Sequence, residues 1–196
     1  MIDIQKEIEK KFPNMDKKEN FLKKSLFKIA KKIVHEDSIN QFLSQNAHLK
    51  GFEFVDAVLD YFDFDYAISS NDLQNIPTSG KVVIIANHPL GGLDALCLLR
   101  LIGQIRKDVK IIANDFLAGF EALNSLIITI DNYKQKQSKS DIKKIYEALK
   151  NEEAVIIFPA GEVSRATAKG IKDPAWNKGF LNFAQNTNAP ILPIFL

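Results

Sequence analysis

The sequence predicts an α/β protein in which a mixed sheet is flanked by helices and preceded by an N-terminal helical region. Two apolar runs of strand length, Val82–Ala86 and Ala154–Ile157, are each followed by polar residues and glycines. Between the two runs, apolar residues recur at helical spacing near 93–106 and 140–151. Such alternation of strands and helices favours helices packed on a sheet.

The first third of the chain has a purely helical pattern. Helices are predicted near residues 2–11, 20–35, 38–48 and 52–63, with Asn20 and Ser38 as N-caps. Pro13 and Gly51 interrupt this pattern. We therefore expect an N-terminal helical region over residues 1–63.

After residue 63 the pattern changes to one of strands and helices, which predicts an α/β domain over residues 64–196. Its expected strands lie over 65–68, 81–86, 109–113, 126–130, 154–158 and 190–195, the first of them at an edge. Its expected helices lie over 93–106, 116–123, 140–151 and 175–186, and a turn is expected over 77–80. Because the chain stops within or just after the apolar strand Pro190–Leu196, we expect its C-terminal end to be truncated.

The composition suits a globular chain that needs neither disulfides nor metal for its core. The chain has 196 residues, of which 46% are hydrophobic and 26% are charged, enough to bury a sizeable core. The single Cys97 excludes an intramolecular disulfide and is expected to be a buried spectator. No apolar run approaches the roughly 18 residues that span a bilayer. We therefore expect a cytoplasmic protein, bound peripherally to the inner face of the cell membrane.

The positive charge is concentrated at the N-terminal end. Residues 1–35 contain ten lysines against five acidic residues, although the net charge of the chain is only +2. Over 21–34, one helical stripe is apolar and lysines lie opposite it; the stripe consists of Leu22, Leu26, Ile29 and Ile33. Such a helix lies in a membrane interface with its lysines among anionic headgroups. Alternatively, the stripe packs on the domain and the lysines face water.

The most informative stretch is Asn87–Asp94, which follows the first apolar run and precedes a helix-like one. An imidazole accepts protons at neutral pH, so His88 is a candidate general base. Asp94 holds the other ring nitrogen if the chain turns back, and Gly91 and Gly92 permit such a turn. The alternative is a buried histidine in an ordinary strand-to-helix loop, with Asp94 as a first-turn helix residue.

A second polar stretch, Phe158–Arg165, follows the apolar run Ala154–Ile157. In open α/β sheets, ligands bind outside the carboxyl ends of the strands. The two stretches therefore point to one crevice.

Together the two stretches resemble motifs of the glycerolipid acyltransferase superfamily. The first family motif is Asn-His followed by an aspartate, as in Asn87, His88 and Asp94, and the third reads Phe-Pro-x-Gly, as in Phe158–Gly161. Pro190–Ile194 is similar to the terminal proline-flanked apolar motif of the family. The resemblance covers residues 66–196 and implies an enzyme that transfers an acyl group from an acyl thioester.

Departures from the family pattern concern the acceptor. His88 and Asp94 have five residues between them instead of the usual four, which is similar to the branch labelled hemolysin. That branch includes enzymes that acylate amino-acid lipids. Where members with phosphate-bearing acceptors carry arginines, this chain has Asn132 and Val163, so Arg165 is the remaining guanidinium of the loop. A phosphate dianion is normally held by several charge-assisted bonds.

The resemblance implies roles for the residues of both stretches. His88 acts as general base, and Asp94 fixes its tautomer as the third group of a triad does. Backbone N–H groups of one glycine-containing segment hold the oxyanion, either at Gly91 and Gly92 or at Gly161 and its successor. The residues expected to bind substrate are Asn87, Gly91, Gly92, Gly161, Glu162, Ser164 and Arg165.

The charged residues of the second stretch keep alternative roles. Arg165 holds a phosphate or carboxylate of the acceptor or donor, or it forms an ion pair with Glu162. Glu162 binds the ammonium group of an amine acceptor and repels a phosphate dianion. Further along, we expect Trp176 in the core and Lys178 near an anionic donor.

These observations lead us to expect a transferase that moves a fatty acyl group from acyl carrier protein or coenzyme A to a lipid precursor in membrane lipid biosynthesis. N-acylation of an amino-acid acceptor is one expected form. The alternatives are a lysophosphatidate or glycerol-3-phosphate O-acyltransferase and a non-catalytic lipid-binding membrane protein. The sequence contains no zinc, nucleotide or paired-cysteine motif, so we expect neither metal nor cofactor. Nucleic-acid binding is not expected, because the lysines concentrate on one amphipathic helix.

Overall fold

A computed structural model of the chain describes residues 36–113, 119–130, 139–167 and 170–196. Of the described residues, 36–49 belong to one compact unit and those from 50 to 196 to another. In the first unit, helix α1 spans Glu36–Gln45. The helices expected over 2–11 and 20–35, with the amphipathic stripe, lie outside the described residues.

The second unit alternates strands and helices, as the sequence predicts. Its elements are α2 (Gly51–Tyr61), α3 (Ser70–Leu73), β1 (Val82–Ala86), α4 (Gly92–Ile105), β2 (Val109–Ala113), a 3₁₀ turn (Glu121–Leu123), β3 (Ile127–Thr129), α5 (Lys139–Lys150), β4 (Ala154–Ile157), β5 (Arg165–Thr167), β6 (Gly170–Lys172), α6 (Gly179–Thr187) and β7 (Ile191–Ile194). The predicted α/β class is confirmed.

Five strands form one parallel sheet in the order β3-β2-β4-β1-β7. The central strands β1 and β4 are buried along their whole length, which explains why they appear in the sequence as continuous apolar runs. Antiparallel pairing occurs in a separate hairpin, in which β5 pairs with β6. The sheet that the helices flank is therefore parallel, and β5 and β6 form a separate two-stranded antiparallel sheet.

Helices cover the sheet because each presents an apolar side to it. On one face, α5 and α6 pack on β1 and β4 through a cluster that includes Val83, Val155, Ile145 and Ala184. Alternate strand residues such as Ile84 point to the opposite face, where α4 contributes its own buried apolar residues. Helix α2 contacts α4.

Four features differ from the sequence prediction. Of the helix expected over 116–123, the part that the structure describes forms only the 3₁₀ turn Glu121–Leu123. The edge strand expected over 65–68 is wrong, because this segment has no regular structure and leads into α3, which Ser69 caps. The last helix begins at Gly179 and not at 175, because the side chain of Asn177 accepts a hydrogen bond from the Gly179 N–H. The hairpin was not predicted, since β6 is exposed throughout and has no apolar pattern.

At the amino-terminal ends of the strands, one buried arginine joins three segments of chain. The Arg106 side chain donates to both carboxylate oxygens of Asp108, each at 2.7 Å, and to the backbone carbonyls of Pro77, Gly80 and Glu152. These residues precede β1, β2 and β4. Arg106 therefore ties together the starts of three neighbouring strands.

The opposite edge of the sheet contains a topological switch point. The connection that leaves β1 leads to β2, across β4, whereas the connection that leaves β4 leads to β7, across β1. Since the two connections leave in opposite directions, a crevice forms between the carboxyl ends of these adjacent strands. The Asn87–Asp94 stretch follows β1 and the Phe158–Arg165 stretch follows β4, so both predicted stretches meet there.

Candidate active site

His88 and Asp94 form a hydrogen-bonded pair at this crevice. The Nδ1 atom of His88 lies 3.1 Å from Oδ2 of Asp94. Asp94 is 3% exposed, and the same oxygen also accepts from the backbone N–H groups of Leu90, at 2.7 Å, and Gly91, at 3.1 Å. One carboxylate oxygen therefore has three donors around it, which fixes its position relative to the imidazole ring.

The turn that brings Asp94 back to His88 depends on Gly91. Gly91 precedes α4 with φ of 73° and ψ of −129°, a conformation that residues with a Cβ rarely adopt. A Cβ atom on Gly91 would also lie 3.4 Å from the side chain of Val163. Gly92 is the first residue of α4 and does not have a positive φ, so of the two glycines only Gly91 needs the unusual backbone conformation.

The imidazole ring of His88 is also fixed by stacking. Its centroid lies 3.9 Å from that of the Phe158 ring, with 17° between the ring planes. Because Asp94 occupies the Nδ1 side, Nε2 is the atom that can accept a proton from a substrate. In the described part of the chain, no residue forms a hydrogen bond with Nε2, and the side chain is 15% exposed. This geometry fits a general base whose orientation is set in advance.

The backbone of His88 is held by two segments, one that follows β4 and one that follows β6. The N–H of Ser164 donates to the His88 carbonyl at 2.8 Å, and the His88 N–H donates to Oδ1 of Asp173 at 3.3 Å. Asp173 also accepts from the hydroxyl of Ser164 and, at 2.8 Å, from Nε1 of Trp176. Burial disfavours the ionised carboxylate, but these three hydrogen bonds outweigh it and lower the pKa of Asp173 below its ordinary value.

Sequence analysis missed the roles of Asp173 and Trp176. Trp176 is 41% exposed, so its predicted place in the core is wrong, and its indole N–H has a carboxylate partner. Asp173 is 85 positions from His88 and binds a backbone group, a contact that no local spacing indicates. Lys178, expected near an anionic donor, caps α6 and is exposed.

Asn87 binds the far end of the described chain. Its side-chain amide donates to the Leu196 carbonyl at 2.9 Å and accepts from the Leu196 N–H at 2.7 Å. Such paired bonds mimic a strand ladder, so Asn87 extends the pairing of β1 with β7. Its side chain therefore fixes one wall of the crevice.

Glu162 and Arg165 form an ion pair with each other. One guanidinium nitrogen of Arg165 lies 2.8 Å from both carboxylate oxygens of Glu162, and the two side chains are 50% and 69% exposed. The ion pair was one of the alternatives left open by the sequence. Because a pair this exposed contributes only about 0–1 kcal/mol, an anionic ligand can compete for the guanidinium.

The two glycine segments differ in which backbone N–H groups they leave available. The N–H of Gly91 donates to Asp94, and the N–H of Gly161 donates to the Phe158 carbonyl at 3.0 Å. The next residues, Gly92 and Glu162, donate their N–H groups to no residue that the structure describes. One candidate oxyanion donor therefore remains in each segment.

A cleft of about 490 Å³ opens beside the His88 loop. It is lined by Asn87, Pro89, Ser164, Ile171, Lys172, Asp173, Trp176, Ile194, Phe195 and Leu196. Several of its apolar side chains are exposed, Phe195 by 90%. The side chain of Lys172 has neither a hydrogen-bond nor an ion-pair partner within the described ranges. The cleft therefore combines apolar walls with one cation and with the carboxylate of Asp173, which already has three donors.

None of the helices that the structure describes is long and apolar enough to cross a membrane. The described residues contain no group of three or more histidine, cysteine, aspartate or glutamate side chains arranged to hold a metal ion. Cys97 is buried as predicted, and burial raises the pKa of its thiol to about 11.

Comparison with known proteins identifies a family and similar members of it. The model of a family described as Acyltransferase matches residues 8–196. A lyso-glycine lipid O-acyltransferase of Phocaeicola vulgatus is 31% identical over 195 residues, which are 99% of this chain and 68% of that protein. A lyso-glycine lipid O-acyltransferase of Bacteroides thetaiotaomicron is 30% identical over 195 residues, 99% of this chain and 70% of that protein.

A solved structure agrees with the observed architecture. The crystal structure of the 1-acyl-sn-glycerophosphate acyltransferase PlsC from Thermotoga maritima aligns with a TM-score of 0.53 and 21% identity. The alignment covers 72% of this chain and 54% of the other. At this identity the likeness shows the fold, and the predicted resemblance in fold is confirmed.

Proposed function

The chain belongs to the acyltransferase family and is therefore an enzyme that transfers acyl groups; we propose that its acceptor is the hydroxyl group of a single-chain lipid with an amino-acid carboxylate. The observation that carries the proposal is the His88–Asp94 pair beside an apolar cleft with one cation. A relative's activity as a lyso-glycine lipid O-acyltransferase agrees with such an acceptor.

In the proposed reaction, Nε2 of His88 accepts the proton of the acceptor hydroxyl while its oxygen attacks the thioester carbonyl carbon. The C–O bond forms and the carbonyl electrons move to the oxygen, giving a tetrahedral oxyanion. Collapse of this intermediate breaks the C–S bond, and the imidazolium returns its proton to the leaving sulfur. The products are an ester and a thiol. Asp94 stabilises the imidazolium between the two proton transfers.

The oxyanion needs donors that are in place before the reaction begins. We propose the N–H groups of Gly92 and Glu162 for this role, because the preceding N–H group in each segment has an internal partner. Gly92 also begins α4, and the positive end of a helix dipole favours an anion. Each donor of this kind typically contributes about 10²–10³ in rate.

The cleft supports an acceptor with one apolar chain and one negative charge. Side chains such as Ile171, Trp176 and Phe195 offer exposed apolar surface to a hydrocarbon chain. Lys172 supplies one ammonium group, which suits a monoanionic carboxylate. A phosphate dianion normally binds to several cations, whereas Lys172 is the one cation among the described residues that line the cleft.

The ion pair also weakens the case for an amine acceptor. An ammonium group would have to compete with Arg165 for the carboxylate of Glu162, which Arg165 contacts through both oxygens. A hydroxyl acceptor needs no such partner. N-acylation of an amino acid is therefore the competing outcome of the acceptor test.

The donor and the place of action are part of the same proposal. We propose a thioester of acyl carrier protein or coenzyme A as donor, since the mechanism needs a thiolate leaving group. We propose action in membrane lipid synthesis, at the inner face of the cell membrane, because the first 35 residues are rich in lysine and anionic headgroups attract such segments.

The acceptor can be tested with labelled acyl thioester and a panel of purified compounds. The panel contains an N-acyl glycine with a free hydroxyl on its chain, the methyl ester of that lipid, free glycine, lysophosphatidate and glycerol 3-phosphate. We expect the free acid to be acylated on oxygen most efficiently. Preferential acylation of free glycine, or of either phosphate, would contradict the proposed acceptor but leave acyl transfer itself intact.

Lys172 gives this test a variant with a matched control. Lys172→Met should raise KM for the free acid and change KM for the methyl ester little. Lys150→Met, at an exposed lysine that ends α5, should change neither. An equal effect of Lys172→Met on both lipids would show that the ammonium group does not bind the carboxylate.

A further inference from the structure

We infer that Asp173 is a positioning residue, which holds the His88 backbone in the place where the imidazole can act as base. The inference rests on the proposed role of His88 and adds a residue to it. Asp173 lies outside both predicted stretches, in the segment between the hairpin and α6. Asp173 contacts the His88 backbone and the Ser164 hydroxyl and touches no reacting atom. It therefore acts through other groups.

The Asp173 carboxylate accepts hydrogen bonds from three separate parts of the chain. The His88 N–H comes from the loop after β1, the Ser164 hydroxyl from the segment after β4, and the Trp176 indole N–H from the segment before α6. Asp173 is only partly exposed. A single carboxylate therefore ties the general-base loop to a wall of the cleft.

Both polar groups of the His88 backbone depend on this arrangement. The carbonyl accepts from the Ser164 N–H at 2.8 Å, while the N–H donates to Asp173. Since Ser164 also donates its hydroxyl to Asp173, the three residues form a closed ring of hydrogen bonds. A displacement of about 1 Å at a catalytic group can cost about 10²-fold in rate, so loss of this ring should lower turnover.

The two carboxylate oxygens carry different donors, and this difference gives a specific test. Oδ1 accepts from His88 and Ser164, whereas Oδ2 accepts from Trp176. In an Asp173→Asn variant, the amide oxygen can replace Oδ1 and keep two donors. The amide NH₂ then faces the indole N–H, so two donors oppose each other.

The double variant Asp173→Asn/Trp176→Phe removes this opposition. We expect Asp173→Asn to lower kcat about 10- to 100-fold, with a small change in Tm. The double variant should then have a higher kcat than Asp173→Asn alone. Trp176→Phe by itself should raise KM, because it removes part of the apolar surface of the cleft. Independent, multiplicative effects of the two substitutions on kcat would overturn the inference.

Asp72→Asn is a matched control. Asp72 accepts from the Ser69 hydroxyl at 2.6 Å, which is the same type of bond at an exposed place outside the site. This variant should keep the wild-type kcat. If Asp72→Asn lowers kcat as much as Asp173→Asn does, the loss of kcat in Asp173→Asn does not come from displacement of His88.

A spectroscopic signature separates positioning from a loss of folding. The backbone amide of His88 should exchange with deuterium faster in Asp173→Asn, while amides of the buried strand β4 keep their protection. If Asp173→Asn does not fold, Ser164→Ala removes one donor of the ring and should give the same local exchange with a smaller loss of kcat. Wild-type exchange at His88 in the folded variant would overturn the inference.

The inference can fail separately from the proposed function. If His88→Ala abolishes turnover and Asp173→Asn has wild-type turnover, the base role survives and the positioning role does not. If His88→Ala retains turnover, the proposed mechanism fails, and Asp173 has no base to position.

Discussion

Replacement of Asp94 by asparagine separates the charge of the buried carboxylate from its geometry. All three hydrogen bonds to Asp94 converge on Oδ2, and two of the donors are backbone N–H groups. An amide NH₂ at that position would face the donors of Leu90 and Gly91. The amide oxygen should therefore take the place of Oδ2 and keep His88 in its tautomer.

The size of the effect on kcat follows from the neutral hydrogen bond that remains between the amide of Asp94→Asn and the imidazole of His88. A hydrogen bond to a charged group contributes about 1.5–3 kcal/mol and a neutral one about 0.5–1.5 kcal/mol. The substitution therefore removes about 1–2 kcal/mol of stabilisation from the imidazolium, which corresponds to roughly 5- to 30-fold in kcat. Tm should change little, because both backbone donors keep an acceptor.

Asp94→Ala should behave differently, since it removes the acceptor of the partly buried hydrogen bonds from the Leu90 and Gly91 N–H groups. We expect this variant to lose about 2–5 kcal/mol of unfolding free energy and to lose turnover. The assay is thiol release from an acyl thioester at saturating acceptor, with a thermal melt of each variant. A loss of about 10⁴ by a folded Asp94→Asn protein would show that the imidazole is in the wrong tautomer, which refutes the predicted amide orientation. Wild-type turnover by Asp94→Asn would show that the negative charge of Asp94 does not contribute to catalysis.

Three further predictions concern stability. Arg106→Ala should lower the free energy of unfolding by about 3–5 kcal/mol, because the buried guanidinium makes five hydrogen bonds and each contributes about 0.5–1.5 kcal/mol net; urea titration measures this, and a loss below about 1 kcal/mol would contradict the structural role. Gly91→Ala should lower Tm by an amount equivalent to about 1–3 kcal/mol of strain, whereas Gly92→Ala, at a helical position, should leave Tm nearly unchanged; equal shifts would refute the argument from φ. The pKa values of Asp108, lowered by the hydrogen bonds from Arg106, and of Asp173 are depressed in the folded state. Their stabilisation is therefore present above the unfolded pKa of about 3.9 and is lost as pH falls through the folded values. Urea midpoints from pH 7 to pH 3 should fall less steeply for Asp108→Asn than for wild type, and parallel curves would contradict the linkage.

The central strands could be predicted from sequence because burial on both faces leaves a continuous apolar run. Strand β2 has the predicted bounds, and β1 and β4 end within one residue of theirs. Weak elements were harder to predict. The short apolar segment 65–68 looked like an edge strand, but tertiary contacts decide such segments, and the exposed hairpin β5–β6 has no burial pattern to detect.

The pair at the centre of the site was predictable for a different reason. His88 and Asp94 are close in sequence, and the glycine between them indicates the turn that joins them. Asp173 was not predictable, because it binds a backbone N–H across 85 positions. The prediction that Trp176 lies in the core is wrong, because its indole N–H needs a polar partner, which it finds in Asp173 at the surface.

Removal of the acceptor proton by His88 is tested by the turnover of His88→Ala. We expect a loss of about 10²–10⁴ in kcat at saturating thioester and acceptor, with Tm close to that of wild type. His48→Ala, at an exposed histidine outside the site, should keep full turnover. Turnover near the wild-type value by a folded His88→Ala protein would contradict the account.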